Sequence, residues 1–194
     1  MVAHRKLPFT RMTLDEFLGW DPNDPTGAPW QLIDGEPVAM APGSATHGEI
    51  QAELAAMLRN HLLDRPPCRP VTEPGIVPRA RASMNYRIPD LAVTCEPPTR
   101  DQMIHQPMLL VEILSPSNEV ETNANIWAFT TIPSVREILA IHSTRIAATL
   151  LRRGPEGDWP EGPTVIGPDD DLVLDSIAFS APLRACYRTT ILAT

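Results

Sequence analysis

The stretch at 107–118, PMLLVEILSPSN, constrains the fold of this chain more than any other. Consecutive aliphatic positions bounded by Pro107 and Pro116 suit a strand buried on both faces, and Glu112 stands in the middle of them. An ionised carboxylate taken out of water costs several kcal/mol unless something compensates. Glu112 is therefore a member of a buried ion pair, a carboxyl held neutral, or a metal ligand. A second stretch, YRIPDLAVTC at 86–95, sets Asp90 at the opening of another short apolar run. Side chains alternate along a strand, so Met108, Leu110, Glu112 and Leu114 share one face, and Asp90 and Ala92 share a face of theirs. If the two strands are neighbours, facing carboxylates lie about 5 Å apart at Cβ, close enough to hold one divalent cation. Without a cation they repel, and one stays protonated.

Composition narrows the class around that pair. With 194 residues the chain can build a full hydrophobic core in a single domain. No apolar run approaches the roughly 20 residues of a membrane helix, and the N-terminal MVAHRKLPFT lacks the apolar stretch of a signal peptide. The expected location is cytoplasmic, with no membrane partner. Cys68, Cys95 and Cys186 are isolated, without a C-x-x-C pair, which favours reduced, mostly buried thiols over a disulfide framework or a structural zinc site. The net charge of -8 argues against non-specific coating of nucleic acid, which depends on Lys and Arg releasing counterions, although a local basic surface stays open. Lys6 is the only lysine. Arg79, Arg81 and Arg87 cluster in sequence, either as a phosphate-binding surface or, more plainly, as a solvated strand edge.

Local signals order the remaining elements. Thr13 with Glu16 is a capping box for a short helix running to about Trp20. Asp34-Gly35 between apolar runs at 30–33 and 36–40 is a tight hairpin, its two residues serving the turn. Thr46 with Glu49 reads as a second capping box, opening a helix to about Leu63 with Ile50, Leu54, Met57, Leu58 and His61 inward. His47 and Glu49 do not complete an H-E-x-x-H zinc pattern. A strand is expected over 69–79, bent at Pro74 and Gly75. Asn118 with Glu121 would cap a helix to about Thr130 that buries Val120, Ala124 and Trp127, with Thr122 and Asn125 on a face able to look back toward Glu112. Runs at 136–142 and 145–151 form a hairpin around Ser143-Thr144, and 172–187 supplies a strand and a closing segment. The acidic run 169–171 lacks calcium-loop spacing and reads as a solvated turn.

The succession MTLDEFLGW, WQLIDGEPVAMAPGSATHGEIQAELAAML, RIPDLAV, LLVEILSPSN and IPSVREILAI resembles the Uma-two type family of restriction-endonuclease-like proteins, within the PD-(D/E)XK nuclease-like superfamily. The likeness spans about 12–187, leaving 1–11 as an N-terminal extension of a single domain over 1–194. It implies an α/β fold, a restriction-endonuclease-like mixed β-sheet flanked by α-helices, with the active site at one sheet edge. It also implies a DNA substrate, a magnesium or manganese ion on Asp90 and Glu112, and, by analogy of fold, a homodimer. In such sites the metal polarises a phosphate oxygen while a lysine orients water and offsets charge building on phosphorus. The departures from the pattern are specific. Asn125 stands where the family carries that lysine, Thr122 where it carries an Asp, and Gln31 where it carries an N-terminal Glu. Three readings follow. One is a metal-dependent endonuclease with Asn125, or a nearby arginine such as Arg87, in place of the lysine. The second is a catalytically degenerate relative acting as a nucleic-acid-binding or assembly module, and the third a purely structural Asp90–Glu112 pair.

Overall fold

The computed structural model describes residues 11–100, 103–115 and 119–193, with 119–123 described as backbone only. α1 (Leu14–Leu18) opens on the expected capping box: the Thr13 hydroxyl accepts from the Glu16 N–H, and the Glu16 carboxylate accepts from the Thr13 N–H. β1 (Trp30–Ile33) and β2 (Glu36–Ala39) pair antiparallel across Asp34 and Gly35, whose φ angles of 50° and 85° meet the demand of a two-residue hairpin turn. α2 (Ala45–His61) begins earlier than a Thr46 cap allows. Ser44 is the residue held extended, and its hydroxyl accepts from the His47 N–H at 3.2 Å, so Thr46 falls inside the first turn. That shift makes His47 a first-turn residue facing the sheet end.

β3 (Arg69–Thr72) stops well short of the expected 69–79. Glu73 turns the chain with φ 48°, and among the described residues pairing continues as single bridges, Ile76 with Arg87 and Gly75 with Met103. Then come β4 (Leu91–Thr94), β5 (Pro107–Leu114), α3 (Glu119–Thr130), β6 (Glu137–His142), β7 (Ala148–Arg152) and β8 (Thr164–Ile166). They complete a mixed sheet of order β3-β4-β5-β6-β7-β8 in which β5 and β6 are parallel and the other neighbours antiparallel. A parallel pair needs a crossover, and α3 is that crossover. β9 (Asp171–Leu174) and β10 (Phe179–Pro182) form a separate hairpin.

Alternation along β4 and β5 divides the core in two. Leu91, Val93, Leu109, Val111 and Ile113 pack with Ile50, Leu54 and Leu58 of α2 and with the closing segment around Leu183 and Tyr187. Ala92 and Leu110 face the other way, onto Phe129 of α3 and onto Ile132 and Val135 in the turn that follows it. Glu112 follows Leu110 on that second face.

Three expectations are corrected. α3 does not bury Ala124 and Trp127: Ala124 is exposed, Trp127 is 72% exposed, and the inward stripe is Asn125, Ala128 and Phe129, continued by Ile132. The sequence stripe is out of phase because apolar periodicity ranks Trp above Asn. The expected cap at Asn118 and the side chains of Val120, Glu121 and Thr122 lie outside the described residues. Cys68 and Cys95 are joined as a disulfide, while Cys186 is a buried free thiol. The register pairing Arg69 with Thr94 puts the two cysteines opposite each other one step beyond, a proximity that spacing along the chain does not reveal. Finally, Arg87 is not part of a solvated edge; it is 4% exposed. No helix among the described residues is long and apolar enough to cross a membrane.

Candidate active site

β4 runs antiparallel to β5 with Leu91 opposite Val111, so one further step sets Asp90 beside Glu112, at the point where β4 begins. Both residues are buried, at 7% and 5% exposure. Asp90 is held from two directions. Its Oδ2 accepts from the Ile113 N–H at 2.5 Å, and its Oδ1 lies 3.0 Å from Nε2 of His47 in the first turn of α2. Its backbone carbonyl accepts from Gln51 Nε2 at 2.9 Å and from the Glu73 N–H at 3.1 Å, which fixes the strand end between α2 and the turn after β3.

Glu112 is held from the other side of the sheet. Asn125 Nδ2 donates to Glu112 Oε1 at 3.1 Å, and Asn125 Oδ1 accepts from Nη1 of Arg87 at 2.8 Å. Burial pushes the Glu112 carboxyl well above the usual carboxylate range, and the neighbouring negative charge of Asp90 adds to it; the Asn125 hydrogen bond and the Arg87 guanidinium pull the other way without prevailing. For His47, burial works against the charged ring, but the hydrogen bond and charge of Asp90, with smaller contributions from Glu73 and the Ile113 backbone, leave it raised.

The fold thus brings Asp90, Glu112 and Asn125 together. Gln31 is buried, and its Oε1 accepts from the Ile88 N–H at 3.0 Å, which ties β1 to the segment leading into Asp90. Sequence reasoning misses two residues of this neighbourhood. His47 fails a helical zinc motif and so passes for an ordinary helix residue, although a polar ring in the first turn of a helix aimed at a sheet end is a usable signal. Asn85, 3% exposed, accepts at Oδ1 from Arg87 Nη2 at 3.1 Å, and nothing in its sequence surroundings marks it.

Among the described residues no group of three or more His, Cys, Asp or Glu side chains is placed to hold a metal ion. The donors present are nonetheless of the right chemistry for magnesium or manganese. Such ions are bound through one or two carboxylates and keep their remaining positions for water and phosphate, and a buried carboxyl disfavoured in its charged form by a second carboxylate is stabilised by a cation shared between them.

A family model described as "Uma2: Putative restriction endonuclease" matches residues 14–183. The chain is 30% identical over 194 residues to "Uncharacterized protein slr1290" of Synechocystis sp. (strain ATCC 27184 / PCC 6803 / Kazusa), covering 97% of this chain and 98% of that protein. The crystal structure of "a putative nuclease belonging to DUF820" from Anabaena variabilis ATCC 29413 superposes with a TM-score of 0.74 at 19% identity, over 91% of this chain and 97% of that one. At such identity the likeness is one of fold.

Proposed function

As a member of the Uma2 family, to which this chain belongs, it is, we propose, a divalent-metal-dependent endonuclease that hydrolyses DNA phosphodiester bonds. The observation that carries this reading is Glu112, buried in the central strand of the sheet with Asp90 beside it across the β4–β5 ladder. Asp90 and Glu112 would hold the cation. When bound, magnesium or manganese supplies a Lewis acid for a phosphate oxygen and lowers the pKa of a bound water.

The protein's own groups do the positioning. The Ile113 N–H and His47 set the Asp90 carboxylate, Asn125 sets Glu112, and Gln31 braces the segment leading into Asp90. Burial keeps bulk water from screening the charges on which the site depends. The test is calorimetric titration with Mn2+ of wild type and Glu112→Ala, followed by incubation with single- and double-stranded DNA. Binding and cleavage that both vanish in the variant are expected. A wild type that takes up no Mn2+ overturns the proposal.

One observation favours a second reading, a degenerate nuclease fold that binds nucleic acid without cutting it: the group set against Glu112 is the neutral amide of Asn125, and the chain's only lysine is Lys6. Metal uptake and DNA binding without cleavage would establish that reading. Cleavage gained on Asn125→Lys would point the same way.

A further inference from the structure

A continuous polar chain runs from the surface hairpin turn to the buried carboxylate. Asp34, in the turn between β1 and β2, donates its backbone N–H to Asn85 Oδ1 at 3.1 Å and accepts at Oδ1 from Asn85 Nδ2 at 3.2 Å. The same Nδ2 also donates to the carbonyls of Ala80 and Arg81, each at 3.3 Å, while Asn85 Oδ1 takes Nη2 of Arg87. The other arm of that guanidinium fork reaches Asn125, and Asn125 reaches Glu112. Arg81, itself at φ 50°, closes the outer end by pairing with Asp34 at 3.1 Å.

Every link is a directional hydrogen bond, and two arms of the fork are held. Asn85 and Asn125 are both amides, so they fix the orientation of the guanidinium without setting a further negative charge against it. Arg87 is buried and stands one hydrogen-bonded side chain away from Glu112, so its positive charge acts at short range where water screens it little. We propose that Asn85 and Arg87 are positioning residues of the metal-dependent reaction. Asn85, locked by the Asp34 turn, fixes Arg87 so that its positive charge acts on the Glu112 site through Asn125, the electrostatic share that a lysine would otherwise supply. This rests on the proposed nuclease function and deepens it.

The charge has opposite effects on two measurable quantities. It repels an incoming cation, and it stabilises negative charge that builds during phosphate attack. Arg87→Gln keeps a hydrogen-bonding side chain and removes the charge. It is expected to bind Mn2+ several-fold more tightly than wild type, by calorimetry, while cutting DNA about ten- to a hundredfold more slowly at saturating Mn2+. Asn85→Asp, which leaves Arg87 in place and sets a carboxylate against it, shifts both quantities in the same two directions. Arg87→Lys restores the charge without the fork, so its Mn2+ affinity returns to the wild-type value while cleavage recovers only in part. Circular dichroism melting identifies any variant that does not fold, and the others then carry the test.

A merely structural role would weaken metal binding and cleavage together. That pattern, or no change in either, overturns the inference while leaving the proposed function standing. A wild type that neither binds Mn2+ nor cuts overturns both, and shows it before any variant is measured.

Discussion

The substitution Glu112→Gln tests the electrostatics of the site without any substrate. In metal-free protein the Glu112 carboxyl is pushed up from its ordinary value of 4.5, first by burial and then by Asp90. Above that value the unfolded chain gives up the proton that the folded protein retains. Folding therefore binds a proton, and stability falls as pH rises until the folded pKa is passed. Each pH unit in that window costs roughly 1 kcal/mol for one proton, about a tenfold change in the folding equilibrium. For a chain of this size each such pH unit amounts to about 2–4 °C in Tm. The amide of the variant has no proton to lose, and its oxygen can still accept from Asn125. The two proteins should melt together near pH 5 in EDTA, with the variant pulling ahead toward pH 7. Mn2+ at pH 7 then raises the wild-type Tm by mass action and leaves the variant unmoved, closing or reversing the gap. The assay is paired thermal denaturation at half-unit pH steps, with and without the metal. A stability difference that stays flat across the window in EDTA would refute the claim that an uncompensated carboxyl is buried here.

Three further outcomes follow from the packing. Asp90→Ala takes the acceptor from the buried Ile113 N–H and should cost about 1–3 kcal/mol in urea denaturation, besides abolishing Mn2+ uptake. Glu137, 1% exposed on β6, accepts from Arg152 Nε at 2.7 Å and from the backbone N–H groups of Asp175 and Ser176 at 3.0 and 2.9 Å. Glu137→Ala therefore strands two backbone donors, while Arg152 keeps Asp175 at 2.9 Å and the Val173 carbonyl at 2.8 Å, and should lose about 1–3 kcal/mol by the same measurement, with metal affinity unchanged in the protein that remains folded. On α3, Phe129→Ala should cost about 3–5 kcal/mol by leaving a cavity under the sheet, whereas Trp127→Ala should stay within about 0.5 kcal/mol, a contrast that checks the helix phase directly.

What is legible in the sequence is what is decided locally. The run at 107–114 is a buried strand whichever way the rest folds; Asp34-Gly35 makes a turn by its own backbone preferences, and Thr13 with Glu16 caps a helix within one turn. The acidic pair can be read because a carboxylate in an apolar strand is anomalous by itself. Partners that meet across long separations cannot be read this way. Asp34 and Asn85 are 51 residues apart, Arg87 and Asn125 are 38, and the two bonded cysteines are 27. The phase of α3 is the most instructive case. Apolar periodicity weighs each side chain by its cost of exposure, so it places Trp127 inside and leaves Asn125 on another face. The fold does the reverse with Trp127, because the stripe of Ala128, Phe129 and Ile132 supplies the packing while the same rotation delivers Asn125 to Glu112 and Arg87. Burying that amide is costly only while its oxygen and nitrogen lack partners, and here each has one. The phase of α3 is thus set jointly by the core it covers and by the polar chain it completes. Substitutions that break the chain should loosen this helix before they loosen the sheet, with amide exchange rising first at 124–130.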